Sequence, residues 1–176
     1  TVRPYVPKSL GTAESFPIYQ ESKTKLYMPR FFGLENYGIP DDVRIKDGDD
    51  IDVAFNGTLR DYQQKAVNAY VKAVSKPNHF GGGGLLELGC GQGKTVIALA
   101  ILSLMKKKTL IIVHKGFLLD QWIERIAEFL PAAKIGRIQG QIIDIDGKDI
   151  VIGMLQSLSM KTYPRELFES FGLTIT

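Results

Sequence analysis

The sequence predicts an α/β fold in which a mostly parallel sheet is covered by helices, preceded by a small β-rich unit. Three observations predict it. Short apolar runs at Leu85–Leu88, Thr109–Val113, Ile135–Ile138, Ile150–Gly153 and Phe171–Thr176 read as buried strands. Between most of them lie segments with apolar residues at helical spacing, and such alternation builds a parallel sheet with both faces buried. Residues 1–57 differ in character: Pro4, Pro7, Pro17, Pro29 and Pro40 punctuate them, and aromatics recur. Proline removes a backbone donor and breaks helices, which argues against long helices there and suggests short strands and turns. The expected organisation is an accessory unit over 1–57 and a main lobe over 58–176.

In the accessory unit the densest stretch is Leu26-Tyr27-Met28-Pro29-Arg30-Phe31-Phe32-Gly33. Arg30 among aromatics can stack on bases or hold phosphate. Equally, Phe31 and Phe32 can pack the unit onto the lobe. The acidic stretch Asp41 to Asp52 contains Asp47-Gly48, a hairpin-turn signal, and lacks the ligand spacing of a calcium loop. Residues 58–75 then read as a helix, with Thr58 as N-cap and Asp61 completing a capping-box pattern. Leu59, Tyr62, Ala66, Val67, Tyr70 and Val74 fall on one face of it. Pro77, Asn78 and the glycines at 81–84 form a flexible connection to the first core strand.

The strongest signal follows. Gly89-Cys90-Gly91-Gln92-Gly93-Lys94-Thr95 is a glycine-rich turn between an apolar run and an apolar helix (Val96 to Met105). A strand, a turn of small residues and a helix form the phosphate cradle of a P-loop. The glycines let the backbone take positive φ and approach an anion without a Cβ in the way. The N–H groups of the turn and of the helix start then face the phosphates, favoured by the helix dipole. Lys94 supplies a charge for the β and γ phosphates of ATP, and Thr95 a hydroxyl for Mg²⁺. The strict pattern wants glycine where this chain has Leu88; the form here is the looser G-x-G-x-G-K-T. Cys90 sits inside the turn, either as a neutral spacer or as a thiol of lowered pKa.

Beyond the turn, the helix from Thr95 is apolar on nearly all sides and is expected to be buried. Lys106, Lys107 and Lys108 end it, either complementing the dipole or forming a DNA patch. A helix is expected over Phe117 to Phe129, with Leu118, Leu119, Trp122, Ile123 and Ile126 inward. Asp146-Gly147-Lys148 reads as a turn, with Asp144 and Asp146 at a polar hairpin end or, alternatively, on a cation. Residues 156–170 read as a broken helix.

Composition sets outer limits. At 176 residues and 44% apolar the chain has room for one domain plus a small unit. A formal charge of +3 permits a nucleic-acid partner without arguing for one. One cysteine cannot form an internal disulfide, so an intracellular setting is expected. The longest apolar run is too short to span a bilayer, and no secretion leader opens the chain, so no membrane partner is expected. Thr1 rather than Met suggests a chain trimmed at its start.

Four stretches occur in one order and together resemble the first motor lobe of a superfamily 2 DNA helicase. Leu59-Arg60-Asp61-Tyr62-Gln63 resembles the adenine-reading element, and Gly89 to Thr95 resembles motif I. Leu110-Ile111-Ile112-Val113-His114-Lys115, followed by Leu119 and Gln121-Trp122, resembles motif Ia. Ile150-Val151-Ile152-Gly153-Met154-Leu155-Gln156-Ser157 resembles the next strand-and-loop motif. The nearest resemblance is to the XPB-like group, particularly helicases of large DNA viruses related to the poxvirus transcript-release helicase. It spans roughly residues 20–176.

The resemblance implies a RecA-like P-loop NTPase lobe. It places Gln63 on the adenine edge with Arg60 near base or phosphates, alongside Gly89, Cys90, Gly91, Gln92, Gly93, Lys94 and Thr95. It places His114, Lys115, Gln156 and Ser157 on the nucleic-acid backbone, DNA rather than RNA. In the family, the strand near Leu173 runs into an Asp-Glu pair that holds Mg²⁺, and a second lobe supplies arginine fingers. This chain stops at Thr176, so the 176 residues alone are expected to hydrolyse little ATP. A viral source, and with it a virion or viral replication site, is likewise implied by the resemblance. Alternatives are a duplex DNA translocase, a P-loop small-molecule phosphotransferase and a non-catalytic nucleotide-binding module.

Overall fold

The computed structural model describes residues 15–75 and 82–176. Residues up to Arg44 form one compact unit, and Ile45–Thr176 form another. The first carries a two-stranded antiparallel ribbon, β1 (Gln20–Glu21) paired with β2 (Leu26–Tyr27), and a helix, α1 (Arg30–Tyr37). The ribbon meets the expectation of short strands. The helix is short, eight residues, which the argument against long helices allows, and it follows Pro29 because proline is tolerated just before the first turn. Phe31, Phe32 and Tyr37 on this helix are exposed.

The boundary differs from the expected 57/58. Residues 49–56 are stitched into the second unit by backbone hydrogen bonds: Ile51 N–H to Lys106 O at 3.0 Å and Asn56 N–H to Phe129 O at 2.7 Å. Lys108 N–H adds a bond to Asp49 O. Ile51 and Val53 are buried, while Asp52 between them and Asp50 and Ala54 on either side are exposed. Asp47-Gly48 is therefore no hairpin. Gly48 takes φ +73° in an irregular stretch whose neighbour Asp49 donates its N–H to Ser170 O.

The lobe proper begins with α2 (Asp61–Val74), followed by α3 (Lys94–Met105), β3 (Thr109–Val113), α4 (Gly116–Phe129), β4 (Ile135–Gln139), β5 (Ile142–Asp144), β6 (Ile150–Met154), α5 (Leu155–Met160), α6 (Glu166–Glu169) and β7 (Leu173–Ile175). The sheet order is β5-β4-β6-β3-β7. β4, β6, β3 and β7 run parallel, and β5 folds back antiparallel on β4. The unexpected strand is β5. It is three residues long with Ile142 and Ile143 exposed, so no alternation marks it in the sequence.

Strand alternation assigns the two faces. Ile111 and Val113 of β3 and Ile150 and Ile152 of β6 pack on Leu99 and Leu102 of α3 and on Leu119 and Ile126 of α4. Leu110, Ile138 and Val151 point the other way, under Leu158, Leu167 and Phe168. Both faces are thus buried, which is why these strands read as continuous apolar runs. Val67 of α2 packs on Ile97, Ala100 and Ile101 of α3, so α3 is covered from two sides, as its all-round apolar sequence requires.

Two readings change here. Leu85–Leu88 is not a strand: Leu85 is 92% exposed, while Leu86 and Leu88 pack on the α2–α3 cluster. Glycines at 82–84 precede it and supply no side chain to hold the segment against β7, whose partner is β3. The connection at Pro77, Asn78 and Gly81 lies outside the described residues. The three lysines after α3 are tied to neighbouring backbone and carboxylates. Lys106 turns the chain at φ 51° and pairs with Asp52, Lys107 pairs with Asp50 at 2.7 Å, and Lys108 Nζ bonds Ile145 O at 2.9 Å.

Truncating Ile152, which is fully buried, should lower unfolding free energy by about 2–5 kcal/mol. Leu104→Ala, at an exposed position of α3, should change it by less than about 0.5 kcal/mol. Urea denaturation of the two variants checks this; equal losses would contradict the assigned core.

Candidate functional site

The glycine turn meets its conformational expectation. Gly91 and Gly93 both sit at φ +75°, and Gly93 is the N-cap of α3, whose first residue is Lys94. Ile97 N–H donates to Gly93 O at 3.0 Å, so the turn feeds directly into the helix. Gly89, Cys90, Gly91, Gln92 and Lys94 are exposed, and Thr95 is half-buried in the first helical turn. Lys94 Nζ donates to Leu88 O at 3.1 Å and Gly89 O at 3.0 Å. Lys94 and Thr95 also line a cavity of about 360 Å³ that reaches Leu86, Leu88 and the end of β7. The loop therefore offers exposed backbone at Gly89–Gln92, with one ammonium group and one hydroxyl at the cavity. That donor set fits a polyphosphate carrying a hard cation.

The start of α2 braces this loop. Arg60 is the N-cap, two residues later than the expected Thr58, and its N–H donates to Gln63 Oε1 at 2.9 Å. Gln63 rather than Asp61 therefore closes the cap. Its Nε2 reaches across to Gln92 O at 3.1 Å, and Tyr62 Oη donates to the same carbonyl at 3.1 Å. Arg60 Nη1 in turn donates to Tyr62 Oη at 3.3 Å. Gln63 is only 5% exposed, yet its amide keeps one N–H and one lone pair beyond these two bonds. The brace also explains why Gly93 must be glycine: a Cβ there would lie 2.5 Å from Gln63 Nε2. Tyr62 was expected only as an apolar-face residue; its hydroxyl contact has no local sequence signal, because Gln92 lies 30 residues away.

A second constellation lies at the carboxyl ends of β3 and β6. His114 and Lys115 follow β3 and are exposed. Lys115 is the N-cap of α4, and Leu118 N–H donates to its carbonyl at 3.1 Å. Gly116 has open space where a Cβ would stand, leaving the helix start approachable. Gln156 Nε2 donates to His114 O at 2.8 Å, joining the two strand ends. Ser157 Oγ accepts the Gly140 N–H at 2.9 Å, and so reaches the β4–β5 turn. Lys161 Nζ bonds Gly140 O and, at 3.2 Å, Gln141 Oε1. The structure thus brings together all four residues singled out for this end and adds Lys161, Gly140 and Gln141.

Other candidates are quiet. Among the described residues no group of three or more His, Cys, Asp or Glu side chains is placed to hold a metal. Asp144 pairs with Lys148 at 3.3 Å instead. Cys90 is free and exposed. Among the described residues no helix is long and apolar enough to cross a membrane.

Residues 56–175 match the family described as "Type III restriction enzyme, res subunit". The chain belongs to that helicase-type ATPase family. Proteins similar to this res-subunit domain include a protein of Acanthamoeba polyphaga mimivirus known as "Putative ATP-dependent RNA helicase". It is 36% identical over 173 residues, 97% of this chain and 32% of its own length. The "DNA 3'-5' translocase XPB2" of Sulfurisphaera tokodaii is 44% identical over 72 residues, 41% of this chain and 15% of that protein. An African swine fever virus protein that carries the mimivirus protein's name is 31% identical over 122 residues, 66% of this chain and 23% of its own. The chain therefore spans about a third or less of these relatives. Among solved structures, the SWI2/SNF2 ATPase core of Sulfolobus solfataricus, in complex with dsDNA, gives a TM-score of 0.53. It covers 62% of this chain and 24% of its own at 22% identity, a likeness of fold. The superfamily 2, XPB-like resemblance and the α/β lobe expected from the sequence are met by these matches.

Gly93→Ala should cost about 1–3 kcal/mol, since it forces a side chain into left-handed backbone and against Gln63. Gly116→Ala should change stability by less than about 0.5 kcal/mol. Thermal unfolding of the pair separates them, and a neutral Gly93→Ala would contradict the brace.

Proposed function

We propose that these residues are the ATP-binding part of the first motor lobe of an ATP-dependent DNA helicase or translocase. One observation carries the reading: Gly91 and Gly93 hold positive φ directly before Lys94 and Thr95, at the exposed start of a buried helix. That backbone offers N–H groups and a dipole to an anion, and the ammonium of Lys94 answers the charge of the β and γ phosphates. Thr95 would hold Mg²⁺ with phosphate oxygens and water, since that ion keeps several waters and needs few protein ligands. Gln63 would bond the adenine edge through the donor and acceptor its amide retains, with Arg60 beside it. Gly89, Cys90, Gly91, Gln92 and Gly93 would line the phosphates with their backbone.

His114, Lys115, Gln156 and Ser157 would contact the nucleic-acid backbone without reading sequence, a task suited to one cation, amide and hydroxyl groups. Lys161 and the Gly140–Gln141 turn lie beside them. DNA is favoured over RNA because one relative is named a DNA translocase and the fold neighbour was solved on dsDNA. The mimivirus and African swine fever virus relatives carry the name RNA helicase, so tighter binding to RNA than to DNA would overturn this assignment. Motion along duplex DNA without strand separation is the second form of the activity, in keeping with one relative named a translocase and a fold neighbour solved on dsDNA; a strand-displacement assay on the whole protein distinguishes the two. Lys94 and Thr95 are the catalytic groups placed here. Phosphoryl transfer needs further positioned charges, so these 176 residues are proposed to bind ATP and turn it over little or not at all.

ATP with Mg²⁺ at a hundred times its Kd should stabilise the fold by about 2.7 kcal/mol, and Lys94→Ala should remove that gain. Melting temperatures with and without nucleotide check it; equal shifts in both proteins would refute the site. Lys115→Ala should weaken binding to DNA of any sequence and reduce the magnitude of its salt slope by about one. Titrations over a range of salt concentrations read this directly. An unchanged slope would remove Lys115 from the interface.

A further inference from the structure

The glycine loop is closed on itself by the groups a triphosphate would engage. Gly89 N–H donates to the side-chain Oε1 of Gln92 at 3.0 Å. Lys94 Nζ spends two of its donors on Leu88 O and Gly89 O. The Gln92 amide lies flat against Gly89, where an added Cβ would stand 3.3 Å from its Cδ. An amide oxygen thus sits on the loop N–H where an anionic oxygen would otherwise accept.

The main chain and side chain of Gln92 are held very differently. Its carbonyl is gripped by both Tyr62 Oη and Gln63 Nε2, whereas its exposed side chain has, among the described residues, the one bond to Gly89. Rotation about the side-chain torsions can therefore free Gly89 N–H while the braced backbone stays in place. A solvent-exposed side chain that swings out regains water and loses little packing.

We propose that Gln92 is a positioning residue that sets the nucleotide affinity of the loop, its amide oxygen competing with a phosphate oxygen for Gly89 N–H. This rests on the reading of Gly89–Thr95 as a triphosphate site. Binding exchanges one neutral hydrogen bond for a charge-assisted one, so the internal bond is a fixed tax on affinity. Removing it returns the tax.

The test is titration with a fluorescent mant-ATP and Mg²⁺, on the unaltered protein and on Gln92→Ala and Gln92→Met. The methionine variant keeps the length of the side chain but lacks the acceptor. Both variants should bind about twofold to tenfold tighter, the range that one exposed neutral hydrogen bond supports. Hydrogen exchange at the Gly89 amide gives a readout that needs no nucleotide: it should be slowed in the unaltered protein and fast in both variants. Unchanged or weaker mant-ATP binding in both variants, with the unaltered protein binding normally, overturns the role of Gln92 alone. A Gly89 amide that exchanges equally fast in all three also overturns it. Failure of the unaltered protein to bind mant-ATP overturns the triphosphate reading, and the affinity role of Gln92 with it.

Discussion

The carbonyl oxygen of Gln92 accepts hydrogen bonds from two consecutive residues of α2, and the rest of the site depends on that junction. The glycine turn has little stiffness of its own. Gly91 and Gly93 reach positive φ at small steric cost, but the same freedom gives the turn many other conformations. A donor pair from a helix selects one of them. Helix α2 can do this because Val67 seats it on Ile97, Ala100 and Ile101 of α3, the helix that the loop itself begins. The loop is therefore fixed at both ends by the same packed pair. Capping and loop bracing share one residue here: the Gln63 side chain satisfies the Arg60 N–H at the start of α2 and anchors the loop with its other atom.

The sheet performs the equivalent service for the second constellation. Parallel pairing of β3 with β6 aligns Val113 with Met154, so the segments that follow them emerge side by side. Gln156 then bonds back to His114 O, and Ser157 reaches the turn after β4. A register slip of one residue would send every side chain of the strand to the opposite face. That register is held by burial of Ile111, Ile150 and Ile152 on one side and Leu110 and Val151 on the other. The positions of these polar residues are thus set by apolar residues buried on the two faces of the sheet.

What could be read in the sequence was local. The G-x-G-x-G-K-T turn carries its capacity for positive φ in its own residues, and β3, β4 and β6 are apolar runs whose limits the structure moves by at most one residue. What could not be read depends on distant partners. Tyr62 meets Gln92 across 30 positions, and Lys161 meets Gly140 across 21, through sheet order alone. The segment from Ile51 to Phe55 was legible in principle, since Ile51 and Val53 alternate with Asp52 and Ala54; the prolines and acidic residues before it outweighed that short pattern. Leu85–Leu88 shows the opposite error. Its composition is that of a buried strand, but a strand also needs a ladder partner, and composition does not supply one.

The most direct test is a crystal structure of the chain grown with a non-hydrolysable ATP analogue and Mg²⁺. The account predicts the polyphosphate over the backbone of Gly89–Gly93, Lys94 Nζ turned from Leu88 O onto it, and the bonds from Tyr62 and Gln63 to Gln92 O intact. An analogue bound elsewhere, with Lys94 still on Leu88 O and Gly89 O, would contradict it.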